Sequence, residues 1–410
     1  MTVNDDIIFV GGIFPDFCYQ EIIEKSRGNM QYAADALQKS LIEGLKYHCN
    51  NLSVVNLPFI GSWPKRYSSI WSPKSKKLST RNLCGNYVLN NCRFLNITFV
   101  KMLARYVVLK KRLFKILKKK DANSQIVIIV YSLHTPFLEA AIQAKKRYDN
   151  IKIISVVPDL PEFMSANPTG TYSMMKRCEI KHQNKLYKSI DGFVLLTDAM
   201  KYRIVTNNQP YEVIEGIFND IFALNLDVIN HTKKIIFYSG TLARRYNIMS
   251  LVEAVRILKR NDFTLEIYGD GDCRQEIESI SAVDSRIRYC GQKPREEILI
   301  RQKQSFLLVN PRNADGEYTK YSFPSKTMEY LGSGTPTLLY QLPGIPSDYY
   351  DYCFSLTDSK IETLSKKIDS ILDMDEQSLR VLGDNARNFI LKYKNPREQT
   401  KKIINLIQKI

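Results

Sequence analysis

The chain has 410 residues, enough for two domains of about 200 residues each. Hydrophobic residues make up 44% and charged residues 25%, the balance of a globular chain and not of a disordered one. Lys and Arg (59) outnumber Asp and Glu (42), a net charge of +17 that suits nucleic acid, an anionic membrane surface or phosphorylated substrates as partners. The start, Met1 to Asp6, is polar and acidic, unlike a signal peptide. The longest clean apolar run, Ile126 to Val130, falls far short of the ~20 residues a membrane span needs. Eight scattered cysteines without a C-x-x-C pair, and four histidines without ligand spacing, suggest a reducing cytosol and no metal cluster.

Strand and helix patterns alternate along the chain, which predicts an α/β protein with parallel sheets. A first buried strand runs over Asp6 to Val10 and ends at Gly11-Gly12. A helix is expected over Asn29 to His48, with Ala33, Leu37, Leu41 and Leu45 at three-to-four spacing. Leu52 to Leu57 reads as a second strand, and the polar stretch 60–90 reads as loops on one rim of the sheet. Residues 101–120 carry nine Lys and Arg and no acid. As a helix they place Leu103, Tyr106, Val107, Leu113, Phe114 and Leu117 broadly on one side. Further strands are expected at 125–131, 151–157, 192–196 and 211–214, and a linker at 219–232. A second series of strands follows at 234–238, 264–268, 287–289, 305–309 and 336–340, with helices between them, for example 249–259 and 326–332. The charge divides with the domains: residues 1–210 hold 31 Lys and Arg against 15 acids, and residues 211–410 hold 28 against 27.

In open α/β sheets ligands sit beyond the carboxyl ends of strands. Three strands of the second half end in glycine, at Gly240, at Gly269 and Gly271, and at Gly291. Glycine there lets backbone N–H groups approach a phosphate, although each one alone is equally an ordinary turn residue. No full G-x-G-x-x-G is present, so a nicotinamide-dinucleotide site is not supported. Arg244 and Arg245 follow Gly240 at the entry of a helix, where they suit a diphosphate clamp or a solvated basic turn. In Tyr321-Ser-Phe323-Pro324-Ser325-Lys326, Pro324-Ser325 starts a helix whose N–H groups face an anion, with Lys326 adding charge. Glu329 lies one turn further on, placed to accept from a pair of ribose hydroxyls. In the first half His134, Asp159 and Glu162 follow strands. Asp159 and Glu162 are candidates to orient or deprotonate an acceptor hydroxyl, and Asp159 is equally a turn-capping residue between prolines. His134 is a candidate for a cleft or a structural residue. Asp270-Gly-Asp272 and Asp373-Met-Asp375 match a D-x-D pattern by chance.

The segment from Tyr321 to Leu338 resembles the C-terminal signature of glycosyltransferase family 4, with a Glu-x7-Glu motif. Ile235-Ile-Phe-Tyr-Ser-Gly-Thr-Leu, Leu265-Glu-Ile-Tyr-Gly-Asp-Gly, Arg288-Tyr-Cys-Gly-Gln292 and Val309-Asn-Pro311 resemble the family's donor-site segments in order. Phe9-Val-Gly-Gly12, Val157-Pro-Asp159-Leu-Pro-Glu162 and Ile214-Glu-Gly-Ile-Phe-Asn219 resemble its first-half loops and connector. The resemblance implies the GT-B fold, two Rossmann-like domains with parallel sheets facing across a cleft. It implies an acceptor domain over 1–218, a donor domain over 219–395, and a terminal helix over 396–410 returning to the first. It also implies transfer of a sugar from a nucleotide sugar, such as a UDP-sugar, with retention of configuration.

Arg244, Arg245, Lys326 and the N–H groups near Ser325 would then stabilise the leaving diphosphate, with Gly11, Gly12 and the glycines at 240, 269 and 271 bordering it. Gln292 and Lys293 would lie near the base, with Phe323 and Pro324 in the same donor segment. Two positions depart from the pattern. The family's first motif Glu falls on Tyr321, and its usual Lys falls near Tyr246, so Arg244 and Arg245 substitute for it. The Phe-Pro-Ser-Lys variant resembles the branch that builds bacterial capsule and exopolysaccharide. It implies a glycan or polyprenyl-diphosphate-linked acceptor, a cytoplasmic protein peripheral to the anionic inner membrane face, and other glycosyltransferase subunits as partners. No metal or other cofactor is required, and no helix-turn-helix, RNP or zinc pattern supports a nucleic-acid partner. The rival readings are an inactive partner subunit, suggested by Tyr321, and a nucleotide-sugar 2-epimerase of the same fold.

Overall fold

The computed structural model describes residues 5–28, 30–82, 85–121, 124–162, 171–219 and 234–410. The expected linker lies outside the described residues from position 220 onward, as does Asn29 at the start of the expected first helix. The chain divides into two units, Met1–Ile217 with Pro396–Ile410, and Phe218–Asn395.

The first unit runs β1 (Asp6–Gly11), α1 (Tyr19–Lys25), α2 (Tyr32–Leu45), β2 (Asn51–Asn56), β3 (Lys76–Asn82), β4 (Gly85–Asn91) and α3 (Lys101–Leu117). It continues β5 (Ile126–Tyr131), α4 (Thr135–Lys145), β6 (Ile151–Val157), α5 (Thr171–Tyr187), β7 (Gly192–Leu195), α6 (Lys201–Ile204) and β8 (Tyr211–Val213). The strands form one sheet in the order β3-β4-β2-β1-β5-β6-β7-β8. Every pairing is parallel except β3 with β4. β1 and β5 are buried at every position, which is why they read as unbroken apolar runs.

The second unit runs β9 (Lys234–Ser239), α7 (Ile248–Arg256), β10 (Phe263–Tyr268), α8 (Arg274–Val283), β11 (Ile287–Gly291), α9 (Arg295–Lys303) and β12 (Leu307–Asn310). It continues α10 (Ser325–Ser333), β13 (Thr337–Tyr340), β14 (Phe354–Leu356), α11 (Ile361–Leu372) and α12 (Glu376–Tyr393). Its sheet is wholly parallel, in the order β11-β10-β9-β12-β13-β14. The last helix, α13 (Pro396–Gln408), belongs to the first unit. Its Ile403, Ile404, Leu406 and Ile407 join the core of that unit beside Leu41, Ile42 and Leu45 of α2. Each fully buried aliphatic side chain contributes roughly 1.5–3 kcal/mol, so α13 is a structural part of the unit and not a loose tail. A Cβ on Gly44 would lie 2.2 Å from the Pro396 carbonyl oxygen, which explains a glycine inside α2.

In both sheets the strand order reverses beside the first strand of the unit, between β1 and β5 and between β9 and β12. These switch points open a crevice at the carboxyl ends of the strands.

Two expectations need correction. The stretch 60–90 is not only loops, because it supplies β3 and β4 to the sheet edge. Asparagines hide these strands from an apolar-run search. Asn90 and Asn91 are buried, and Asn91 Oδ1 accepts from Asn56 Nδ2 at 2.9 Å while Asn91 Nδ2 donates to the Lys74 carbonyl at 2.9 Å. The apolar stripe expected on α3 is also displaced. The helix buries Arg105, Leu109, Leu113 and Leu117, one row at four-residue spacing, and leaves Leu103 and Val107 exposed. Among the described residues no helix is long and apolar enough to cross a membrane.

Candidate functional site

The carboxyl ends of β9, β10 and β11 are laced together by backbone hydrogen bonds. Gly240 N donates to Tyr268 O (3.0 Å), Gly269 N to Gly291 O (3.0 Å), and Leu242 N to Asp270 O (2.9 Å). The glycines make this lacing possible. Gly269 has φ +134°, and a Cβ there would lie 1.8 Å from Gly240 O. A Cβ on Gly271 would lie 2.4 Å from Leu242 O. At Gly269 and Gly271 the freed space is filled by neighbouring loop backbone, so both serve loop-to-loop packing. In the first unit Gly11 and Gly12 behave alike. A Cβ on Gly11 would meet Gln38 Oε1 at 2.4 Å, and one on Gly12 the Phe59 ring at 2.5 Å. Gln38 Oε1 accepts from Gly12 N at 2.8 Å and so holds the loop after β1 against α2.

Beside the β9 end stands a polar cluster centred on Glu329. Its side chain is 14% exposed and sits one turn into α10. Oε1 accepts from Lys326 Nζ and from Gln302 Nε2 (2.7 Å), and Oε2 faces Arg295 Nη2 at 3.6 Å. Burial pushes the Glu329 carboxyl up, but Lys326, Gln302 and Arg295 outweigh it and hold the pKa below the ordinary value. Gln302 is fully buried and reaches Ser239 Oγ at 3.4 Å, while its Oε1 has no partner. Tyr330 accepts from Ser239 N at 2.9 Å, pinning the end of β9 to α10.

Helix α9, which carries Arg295 and Gln302, is moored by Glu266 of β10. That carboxylate is 2% exposed and takes a two-pronged bond from Arg301 (2.7 and 2.6 Å) as well as bonds from Tyr268 Oη (2.9 Å) and Arg288 (3.3 Å). Burial raises its pKa and the Arg301 fork lowers it further, leaving it ionised below the usual range. Neither Gln302 nor Glu266 stands out in sequence. The one signal for Gln302 is its four-residue spacing from the buried Ile298 on α9.

The remaining donor-side candidates fall into different surroundings. Arg244 is 66% exposed, and its guanidinium is engaged by Glu276 at 2.5 Å. Arg245 Nη2 donates to Tyr246 Oη at 3.0 Å, with the guanidinium over that ring. Arg312, which the sequence reading passed over, follows β12 at the switch point. Its guanidinium lies 5.4 Å from the Tyr246 ring centroid and 5.1 Å from that of Tyr318. It donates to Ser322 Oγ at 2.8 Å, and its buried Nε has no partner. Pro324 is the N-cap of α10, and Ser325 and Lys326 open the helix. Tyr321 closes a short 3-10 turn (Glu317–Tyr321) before them. Phe323 packs into the core against Tyr349, with ring centroids 5.4 Å apart, which makes it a packing residue. Gln292 and Lys293 are exposed beyond β11, and Lys293 pairs with Glu297 at 3.1 Å. The D-x-D residues are engaged by protein groups, with Asp373 paired to Arg260 at 2.8 Å. Asp272 accepts from Arg244 N, Asp270 from Gly271 N, and Asp375 caps α12 through Ser378 N.

In the first unit His134 is the N-cap of α4, at the β5 side of the switch point. Its Nε2 lies 3.0 Å from Arg105 Nη1. A guanidinium only donates, so Nε2 accepts and the ring proton sits on Nδ1. Burial, then Arg105 and Lys101, push the imidazole well below its ordinary pKa, so it stays neutral. His134 therefore holds Arg105 and does not offer a free base at Nε2. Asp159 follows β6 at an exposed position, and desolvation by the protein near it pushes the carboxyl up to about 6. Glu162 is exposed on the same loop.

Known structures of the same architecture match nearly the whole chain. Sucrose-phosphate synthase from Thermosynechococcus elongatus matches with TM-score 0.60 and 16% identity over 98% of each chain. A trehalose-phosphate synthase (UDP-forming) from Burkholderia xenovorans, in complex with glucose-6-phosphate, matches with TM-score 0.61 and 10% identity over 98% of this chain and all of the other. A mutant of S. aureus TarM in complex with fondaparinux, α-GlcNAc-glycerol and UDP matches with TM-score 0.57 and 12% identity over 98% and 99%. The fold is GT-B. Residues 226–389, most of the second unit, match the family described as Glycosyl transferases group 1. No curated protein matches the sequence.

Proposed function

We propose that the chain transfers a sugar from a UDP-sugar, with retention, to a lipid-linked or glycan acceptor in cell-surface polysaccharide synthesis, as a family 4 enzyme of the capsule type. The observation that carries the donor half is the Glu329 cluster. A carboxylate kept ionised while largely buried, with Oε2 met among the described residues by Arg295 at 3.6 Å, sits at the helix start beside the β9–β12 switch point. That position suits a ribose diol, and the positive end of α10 with Lys326 suits the adjoining diphosphate. UDP in the similar TarM complex supports the choice of nucleotide. The likeness to the lipopolysaccharide outer core galactosyltransferase WaaB, at TM-score 0.56, supports a surface glycan as product.

As the diphosphate leaves, Arg244, Arg245 and Lys326 neutralise its growing charge. Asp159 orients or deprotonates the acceptor hydroxyl, and a carboxyl with a pKa near 6 is better matched to that work than an ordinary aspartate. The first unit rests on an anionic membrane through α3. Phe99 is 93% and Leu103 63% exposed, and Leu103, Val107, Lys111 and Lys115 form an outward row that is apolar at one end and basic at the other. A panel of nucleotides tested by thermal shift decides the donor. Stabilisation by UDP above GDP and ADP is expected, and no shift with any nucleotide would refute the reading.

A further inference from the structure

A cavity of ≈ 280 Å³ opens at the switch point of the first unit, lined by Arg27, Ser62, Arg66, Lys101, Arg105 and His134 among others. It is near the low end of the ~300–1,000 Å³ typical of small-ligand sites. Four of its lining residues, Arg27, Arg66, Lys101 and Arg105, are Arg or Lys, and no Asp or Glu lines it. Nor does any carboxylate pair with these four among the described residues. Arg105 makes this unusual. It is 3% exposed, held by His134 Nε2 at 3.0 Å and the Pro58 carbonyl at 2.6 Å, with Phe94 and Phe59 rings beside it. Its buried Nε has no hydrogen-bond partner among the described residues. A buried guanidinium without a counter-ion carries an unpaid desolvation cost, which an arriving anion offsets. Lys101 stands one helical turn away, donating to the Ile60 carbonyl (2.5 Å) and reaching Ser62 Oγ (3.4 Å). Burial, with Arg105 and Arg66 nearby, pushes its pKa down to about 7. A buried ammonium beside two guanidinium groups gains from an anion that offsets its desolvation. Arg27 and Arg66 complete the set from the exposed side, their loops joined by a bond from Arg27 N to Arg66 O (3.0 Å).

We propose that this cavity binds a phosphate or diphosphate group, the charged part of the acceptor, with Lys101 and Arg105 at its floor and Arg27 and Arg66 closing over it. Forked guanidinium donors match phosphate oxygens in pairs, and several cations without an acid favour a multiply charged anion over a single carboxylate. The proposal deepens the glycosyltransferase reading by giving its acceptor a chemical class, and it rests on that reading only for the word acceptor.

The test is calorimetric titration of the full chain with inorganic pyrophosphate, at saturating UDP so that the donor site is filled. One further site is expected in the wild type. Lys101→Gln and Arg66→Ala should each weaken it at least tenfold. Arg66 is exposed and makes no side-chain bond among the described residues, so its variant should fold. No pyrophosphate uptake, or equal affinity in both variants and wild type, overturns the proposal. Titration with UDP alone reads the donor site separately, and lost UDP binding with pyrophosphate uptake intact would remove the donor reading and keep the pocket. Farnesyl diphosphate in a second arm identifies the source. Tenfold tighter binding than pyrophosphate supports a lipid-linked group, and equal binding supports a soluble phosphate ester.

Discussion

Replacing Glu329 by Ala removes the central carboxylate of the proposed donor site. The side chain is 14% exposed and accepts from Lys326 and, at 2.7 Å, from the fully buried Gln302. Two free energies change. The nucleotide loses charge-assisted hydrogen bonds to its ribose, about 1.5–3 kcal/mol, or about 10- to 150-fold in the dissociation constant of UDP. The fold loses the acceptor for Gln302, whose Nε2 keeps only Ser239 Oγ at 3.4 Å, a cost of about 1–3 kcal/mol. Glu329→Gln separates the two, because it keeps an acceptor oxygen for Gln302 and removes the charge. Thermal denaturation should place Glu329→Gln nearer the wild type than Glu329→Ala, while calorimetry should show UDP weakened in both. Unchanged UDP affinity in a folded Glu329→Ala protein would falsify the ribose assignment.

Arg244→Ala and Arg245→Ala should lower turnover more than they weaken uridine binding, measured by UDP release against nucleoside affinity; wild-type turnover in both would move the clamp to Lys326 and Arg312. Gly269→Ala sets a Cβ 1.8 Å from Gly240 O at φ +134°, so urea denaturation should show a loss of roughly 2–5 kcal/mol, and a loss under about 0.5 kcal/mol would refute the loop-packing account. Asp159 has a folded pKa of about 6 against an ordinary 3.8, so turnover should rise with pH through 6 as its carboxylate forms, and Asp159→Asn should abolish that limb. The same raised value makes its contribution to stability present below 3.8 and lost as pH rises through about 6. Phe99→Ser with Leu103→Ser should abolish pelleting with anionic vesicles at low salt while UDP binding persists; equal pelleting with neutral and anionic vesicles would remove the electrostatic part. Lys120 is unsuited to such a test because it is paired with Asp6 at 2.6 Å.

The buried parallel strands were legible because burial on both faces demands unbroken apolar runs, as in Asp6–Gly11 and Ile126–Tyr131. The β3–β4 edge was not, because buried asparagines bonded to one another and to backbone take the place of apolar residues there. Glu329 and Lys326 could be read from a helix start three residues apart. Gln302 could not, since its importance comes from α9 lying beside α10, and that depends on the mooring of Arg301 to Glu266 across the sheet. The glycines end strands as expected, yet the close approach at Gly269 and Gly271 is to carbonyls of neighbouring loops, which no local pattern displays.

Helix α3 shows how a misplaced stripe exposes a second task. A crossover helix that only packs on a sheet needs one apolar row facing in and polar residues facing out. Here the inward row begins with Arg105 before Leu109, Leu113 and Leu117, while Leu103 and Val107 face solvent. Each half of that inversion is costly by itself, a guanidinium without a counter-ion inside and apolar side chains in water outside. The two costs have one common relief. In the proposed reading, an acceptor with a diphosphate on an isoprenoid chain would bring an anion for Arg105 and Lys101, and the membrane carrying it would cover Phe99, Met102 and Leu103, which flank Lys101 in the chain. A soluble phosphate ester relieves only the first. The farnesyl diphosphate titration and the Phe99→Ser, Leu103→Ser vesicle measurement therefore have to agree: tighter farnesyl diphosphate with lost pelleting places both relief steps on one lipid-linked substrate, whereas equal affinities with retained pelleting break the link between the cavity and the outer face of the helix.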